Sequence, residues 1–302
     1  IYRYGKAIQD PDMMKFGAYY IAQNEKALPR FHYFRHFFEV FMHEELENAE
    51  KGLPLPKDVW LKDIQVMVAR DQEGSTDGFF LAAKGGHNDE SHNHNDIGNY
   101  VVFYDGLPVL IDVGSGTYTR RTFSGERYSI WFNRSDYHNL PTVNGQTQTA
   151  GRAYQATKVA YETNRRSSSM TLDISASYPE SAGLVSWQRD LALNRGKRVT
   201  IKDTYKLSEA GEIIQHLMTV YPVEVVKPGL ISIAYQGKDG KVSPFEIQYN
   251  PNDMEVEVEK MPFDLPEDEG VASKWGQDMY RINLTSKGDV KAGKMDFTIS
   301  KK

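Results

Sequence analysis

The 302-residue chain contains no cysteine, so no disulfide can brace the fold and no thiolate can bind a metal. His, Asp and Glu are left as the ligands for any transition metal. Long apolar runs are also missing: nothing approaches the roughly 20 residues that a membrane-spanning helix needs, and no membrane partner is expected. The first residues, from Ile1 to Lys6, hold neither an initiator Met nor a basic region followed by an apolar one, which leads us to expect a processed or truncated chain. Net positive charge is absent too. The formal charge of -5 gives no support for a nucleic-acid partner, but it leaves room for a local basic cleft, because net charge averages over the whole surface. No phosphate-cradling glycine loop or nucleophile elbow is found.

What is present falls into two regions of different period. Asp10 suits a helix N-cap and Pro11 the first helical position, with Met13, Met14, Phe16, Tyr20 and Ile21 following at helical spacing. A second helix is expected from near Pro29, carrying Phe31, Phe34, Phe38 and Phe41 on one stripe before Gly52. Two such helices bury too little to form a domain alone and read as the end of a larger helical array. Residues 52–57, with Pro54 and Pro56, form a linker by composition. From about Gln65 the pattern changes to short alternating runs separated by turn signals, as at residues 100–104, 140–143, 170–176, 198–205, 213–221 and 230–235. Strands spaced this way without intervening helices indicate stacked antiparallel sheets. The expected division is a helical part at 1–64 and a β part at 65–302.

Chemistry concentrates in the segment 85–96, which contains His87, His92 and His94. In extended backbone residues two apart share a face, so His92 and His94 can present both imidazoles to one volume, one for a metal and the other for substrate. A two-residue turn at Asp105-Gly106 would set residue 104 against 107 and Asp112 opposite Asn99. Asp112 ends the apolar run 107–111, where an unpaired carboxylate is costly and calls for a cation or several hydrogen-bond donors. His138, opening a hairpin around Asn144-Gly145, could supply a third ligand from a neighbouring strand. Two imidazoles and a carboxylate make a reasonable zinc site. The plain alternative remains open: surface histidines in polar loops, with His138 a hydrogen-bonded structural residue. His32, His36 and His43 on the second helix read as solvated or capping groups. Asn133-Arg134-Ser135 and Asn283-Leu284-Thr285 match a glycosylation acceptor.

The order of elements resembles the heparinase II/III-like family of polysaccharide lyases. The matching pieces are His92-Asn93-His94-Asn95-Asp96, the run from Gly106 through Asp112 to Gly114 leading to Tyr118, and Tyr137-His138-Asn139 before Asn144-Gly145-Gln146. The later strands around Trp187-Gln188-Arg189-Asp190 resemble the rest of the family's β domain. The resemblance implies a mainly β fold, a multilayered antiparallel β-sandwich (super-sandwich), preceded by a short α-helical segment from an α/α toroid. It implies zinc on His94, Asp112 and His138, with His92 facing the substrate cleft. It also implies β-elimination on an acidic, uronate-containing polysaccharide by a periplasmic or secreted bacterial enzyme.

Within that reading His92 suits proton abstraction, since imidazole titrates near neutrality. Tyr128, favoured over Tyr118 by position, is the second candidate catalytic group, and Arg127, Asn139 and Tyr118 are candidate substrate contacts. Arg134 could also pair with a substrate carboxylate or sulfate. Both tyrosines could equally be packing aromatics among the 18 in the chain. The family also places catalytic residues, a Tyr and an Asn or His, on its toroid, which would lie before this chain. The N-terminal toroid domain of the same parent is therefore an implied partner, and the chain alone could be inactive. Two other readings stand beside this one: a non-catalytic carbohydrate-binding β-sandwich stabilised by its metal, and a small metal-dependent β-barrel oxygenase.

Overall fold

The structure, a computed structural model, describes residues 1–23, 37 and 40–302. It divides into two compact units, residues 1–56 with 73–75, and residues 57–72 with 76–302. In the first unit the expected helix is Pro11–Gln23, and Asp10 caps it by accepting the Met13 N–H at 2.9 Å. A shorter helix, Tyr2–Ile8, precedes it and ends on Gln9 in the left-handed conformation. The sequence pattern did not signal it, since Tyr2 and Gly5 are its only buried residues. The two helices approach closely because Gly17 has no side chain: a Cβ there would lie 2.5 Å from the Tyr2 nitrogen. Tyr2, Ala18 and Leu46 form the small core. The helix expected near Pro29, with Phe31, Phe34 and Phe38, and likewise His32 and His36, lies outside the described residues. His43 is exposed and pairs with Glu47 at 3.2 Å, and Phe41 is 82% exposed.

The second unit is built from antiparallel sheets. A five-stranded sheet runs in the order Asp58–Leu61, Val66–Arg70, Phe79–Lys84, Tyr100–Tyr104, Leu107–Leu110. An eight-stranded sheet has the order Val223–Lys227, Leu230–Ile233, Phe245–Gln248, Val290–Lys301, Arg198–Gly211, Leu184–Asn194, Ser167–Asp173, Thr157–Thr163. A four-stranded sheet joins Met254–Lys260, Tyr280–Ser286, Ile213–Thr219 and Pro141–Val143. All the strand pairs are antiparallel, including a short fourth sheet of His87–Asn88 with Gly151–Gln155. One continuous apolar cluster, including Met67, Leu81, Val102, Leu191, Ile201, Phe245, Phe297, Leu217 and Ile282, joins the three larger sheets as layers. The multilayered antiparallel β-sandwich expected from the sequence is the architecture observed. A second cluster of Ile111, Val113, Ile130, Trp131, Phe132, Met218 and Val271 lies beneath the long segment 111–140.

The strand Leu184–Asn194 buries Trp187, Arg189, Leu191 and Leu193 in strict alternation, so Arg189 takes a core position in phase with apolar neighbours. Directly opposite in the register is Asp203, also fully buried. All five N–H groups of the guanidinium are used. Two go to the Asp203 carboxylate at 2.8 and 2.6 Å and one to Gln215 at 2.7 Å, while Nη1 donates to the carbonyls of Gly98 and Asn139 at 3.0 Å each. One side chain thereby links the large sheet to two separate loops.

Two turn expectations are adjusted. Asp105 and Gly106 both have positive φ and make the expected tight turn, but a register shift between Val102 and Phe103 moves Val102 opposite Leu110. Continued, that register sets Asp112 opposite position 100 rather than 99. Asn144-Gly145 also turns with positive φ, yet the return is a single Val143–Gln146 bridge. His138 follows the 3-10 turn Ser135–Tyr137 instead of lying on a strand. The sequon at Asn133 is inaccessible, for Asn133 is 1% exposed.

Replacing Arg189 with Met should lower stability by about 3–5 kcal/mol, because it leaves the Asp203 charge buried without a partner. The double variant R189M/D203L should recover part of that loss; denaturant melts that leave the single variant unchanged would contradict the arrangement. His216 provides a second test. Burial pulls its pKa down to about 3, against the hydrogen bond to Asn283, which raises it. Thr142 and Asn283 hold the ring at 2.8 Å on either side, in keeping with a neutral imidazole. In the unfolded chain the ring gains its proton near pH 6.5, whereas the folded protein resists protonation down to about 3. Its contribution is therefore complete above pH 6.5 and shrinks as pH falls towards 3. Comparison of His216→Gln with the parent between pH 7 and 4 should show a flatter acid decline, by on the order of 2–4 kcal/mol.

Candidate active site

The segment that follows the His87–Asn88 strand folds back as a series of turns. His92 has φ +60°, a left-handed conformation that costs a non-glycine residue on the order of 1–2 kcal/mol. Because of that turn the backbone is not extended from 92 to 94, and the two imidazoles go to different places instead of sharing one face. His92 is exposed and its ring stacks on Tyr118 at 5.7 Å and 13° between planes. Phe123 meets both rings edge-on, at 5.9 Å from His92 and 5.4 Å from Tyr118. His94 turns inward, 5.6 Å from the His138 ring and 6.3 Å from Phe132.

His92 lines a cleft of about 550 Å³ together with Asn88, Asn93, Phe123, Arg127 and Tyr128. The Arg127 guanidinium is fixed by donating to the Asn93 carbonyl from Nε and Nη2 at 3.0 and 2.8 Å, and to the Thr122 carbonyl from Nη1 at 2.9 Å. These acceptors are neutral, so the guanidinium keeps its full charge with two N–H groups still free, and it shares the cleft lining with the carboxylates of Asp89 and Glu90, the latter paired with Lys84 at 3.1 Å. Asn93 Nδ2 reaches the Tyr128 hydroxyl at 3.4 Å, and its buried Oδ1 has no partner. Tyr118 and Phe123 are 49% and 67% exposed.

Behind this wall lies a polar cluster. Asp112 Oδ2 accepts from Asn99 Nδ2 at 2.6 Å and sits 3.2 Å from His138 Nδ1, while Oδ1 takes the Gly114 N–H at 2.7 Å. The expected meeting of Asp112 with Asn99 occurs, through side chains rather than strand register. Burial raises the Asp112 pKa, but the charge and hydrogen bond of His138, the His94 ring and the Gly114 N–H together hold it well below the usual carboxylate range. His138 is raised: burial opposes its charged form, and Asp112 outweighs it. Burial, then His138, pushes His94 down to about 3, which leaves a neutral imidazole able to donate a lone pair.

The three residues named from sequence as zinc ligands are thus brought together, with nitrogen and oxygen donors of the right kind. His138 Nε2 is buried with no partner. The 3.2 Å between His138 Nδ1 and Asp112 Oδ2 is close to the roughly 3.3 Å between two donors that share a tetrahedral zinc at ~2.0–2.1 Å. As placed, however, among the described residues no three His, Asp or Glu side chains form a group that could hold a metal ion. Hydrogen bonds join Asn99, Asp112 and His138 Nδ1 instead.

Asn139 differs from expectation. It is fully buried, with Nδ2 donating to the Tyr100 and Ile111 carbonyls and Oδ1 accepting the Met218 N–H. With every side-chain atom engaged in holding three segments together, it has nothing to offer a substrate. Arg134 is paired with Asp136 at 2.7 Å. Sequence reasoning missed Phe123 and the Lys84–Asp96 pair at 2.8 Å; only Asp96 carried a signal, as an acid inside the histidine box. It also missed the buttress formed by the helix Asp268–Trp275. Trp275 Nε1 donates to the Val113 carbonyl at 2.9 Å, Trp131 Nε1 to Asp268 at 2.8 Å, and Arg121 to Glu267 just before the helix at 2.7 Å. Those contacts hold the segment that carries Tyr118, Phe123 and Tyr128.

The family model described as "Heparinase II/III-like, C-terminal" matches residues 54–265. The chain belongs to the heparinase II/III-like family. Solved structures agree on the fold of this heparinase-like domain. A heparan sulfate lyase, HepC, from Pedobacter heparinus superimposes with a TM-score of 0.65 at 14% identity, covering 94% of this chain and 42% of that one. A heparinase III described as the BT4657 gene product gives 0.62 at 16%, covering 89% and 41%, and a further heparinase III gives 0.61 at 14%, covering 89% and 41%. The chain thus spans about two fifths of the length of these enzymes. No curated protein matches by sequence.

Arg127 ties residue 93 to residue 122 by a fork that lysine cannot reproduce. In Arg127→Lys the amides of residues 91–94 should exchange hydrogen at least about tenfold faster, the equivalent of ~1.4 kcal/mol of lost local protection. Unaltered exchange there would show that the loop is held by other contacts.

Proposed function

We propose that this chain is the C-terminal β portion of a polysaccharide lyase that cleaves an acidic, uronate-containing polymer by β-elimination. The observation that supports this most is the division of labour between the histidines: His92 stands exposed in a cleft beside Tyr128 and Arg127, while His94 is withdrawn behind it against His138. β-Elimination requires a base to take the proton at C5 of the uronate, next to the carboxylate. The electron pair forms the C4–C5 double bond, the C4–oxygen bond breaks, and the departing oxygen takes a proton. His92 removes the C5 proton in this reading, and Tyr128 returns one to the departing oxygen. Arg127, with two N–H groups to spare, offsets the carboxylate charge and so makes the C5 proton more acidic. Tyr118 and Phe123 give His92 an aromatic wall and offer their exposed faces to the sugar ring.

His94, Asp112 and His138 would hold zinc. Bound there, the metal would be structural, joining the His92 loop to the segments that carry Asp112 and His138 and so fixing the aim of the imidazole. The helical first unit would be the end of a toroid whose preceding residues complete the active site, and the parent would act in the periplasm or outside the cell. Among the described residues no helix is long and apolar enough to cross a membrane.

Incubation with uronate polysaccharides, with ultraviolet absorbance used to follow the unsaturated product, tests the reading on both the chain and its full-length parent. His92→Ala in the parent should reduce turnover by on the order of 10²–10⁴-fold while leaving the melting temperature alone. His94→Ala or Asp112→Ala should lower both the melting temperature and the zinc content found by elemental analysis. Binding of polymer with no product from either protein would favour a non-catalytic carbohydrate-binding module.

A further inference from the structure

At one end of the large sheet two hairpin turns lie side by side. One connects the strands Thr157–Thr163 and Ser167–Asp173, the other Leu184–Asn194 and Arg198–Gly211. They are joined by the Arg195 N–H, which donates to the Arg166 carbonyl at 3.0 Å. Both are rigid. Asn164 Oδ1 accepts the amides of Arg166 and Ser167 at 2.8 and 3.1 Å, and Asp71 Oδ1 accepts that of Gly196 at 2.8 Å.

Arg165, Arg166, Lys197 and Arg198 are all exposed on these turns, and none has a side-chain hydrogen bond or ion pair among the described residues. The nearby acids are largely occupied. Asp58 is bound by Arg195, both of its oxygens lying 2.7 Å from Nη2. The second oxygen of Asp71 accepts the Phe79 N–H at 2.7 Å. Glu162, on the strand before the first turn, is exposed without such a partner among the described residues. What sets these four cations apart is that they are gathered on two turns joined by a backbone hydrogen bond, in a chain of net charge -5, so they form a local positive patch. Rigid turns also spare a ligand the cost of ordering them.

We propose that the two turns form an anion-binding surface, separate from the His92 cleft, that holds a second stretch of the acidic polysaccharide. This rests on the substrate class proposed above. The turns contribute no residue to the lining of the His92 cleft, and a polymer with repeated charges could engage both. Arginine suits the task through its forked donors, which match carboxylate and sulfate oxygens.

The test is equilibrium binding of fluorescently labelled heparin fragments to the full chain across a salt series, with uncharged dextran and single-stranded DNA as comparison probes. Removing all four cations (Arg165→Ala, Arg166→Ala, Lys197→Ala, Arg198→Ala) should weaken heparin binding about tenfold or more and flatten its salt dependence, with unchanged melting. A charge-matched variant elsewhere (Lys206→Ala, Lys227→Ala, Lys291→Ala, Lys294→Ala) should lose less than about twofold. Equal losses in the two variants, no loss in the first, or no heparin binding by the parent would each overturn the proposal. So would DNA binding as tightly as heparin with the same dependence on the turns. If turn-dependent heparin binding is found but no unsaturated product forms with either the chain or its full-length parent, the lyase reading fails and this one stands.

Discussion

The arrangement of the site depends on a buried ion pair. Arg189 and Asp203 face each other across neighbouring strands in the core, where an unmatched charge would be costly. The pairing is tolerable because every donor on the guanidinium is used. Its last two bonds leave the sheet altogether. They take the Gly98 carbonyl, just beyond the histidine box, and the Asn139 carbonyl, next to His138. Asn139 passes the constraint on to the Tyr100 and Ile111 carbonyls and the Met218 amide. Three segments distant in sequence thus acquire fixed relative positions before any metal or substrate is considered.

That frame explains the asymmetry of the site. Its inner part, around Asp112, His138 and Asn99, is dense with hydrogen bonds and backed by a rigid sheet. The outer wall, from Tyr118 to Tyr128, consists of 3-10 turns braced from the other side by the helix Asp268–Trp275. Gly116 and Gly270 allow the close approach this bracing needs, since a Cβ on Gly270 would lie 2.3 Å from the Thr117 nitrogen. Groups that must hold a geometry are set in the frame, and groups that would meet a polymer stand on the braced loop.

Much of the fold was legible because strands half buried in a sandwich advertise themselves by alternation, and turns such as Asp105-Gly106 by their backbone demands. That His94, Asp112 and His138 lie near one another followed from the family resemblance, and the buried carboxylate of Asp112 alone signalled a need for partners. The orientation of His92 was not legible, because a single left-handed residue reverses the face on which its side chain lies and histidine does not announce such a turn. Asn139 was misjudged since a buried amide and an exposed one look alike in sequence. The Arg189–Asp203 pair could have been found: both residues fall in phase with apolar neighbours, and the turn at Gly196 sets them opposite each other.

The strained backbone at His92 has a consequence for how this domain would respond to selection. Glycine or asparagine would occupy that conformation more comfortably, so folding by itself favours losing the imidazole. Any campaign that screens for heat resistance alone would be drawn towards a robust protein with an empty cleft wall, and a screen for catalysis has to run beside it to keep the residue in place.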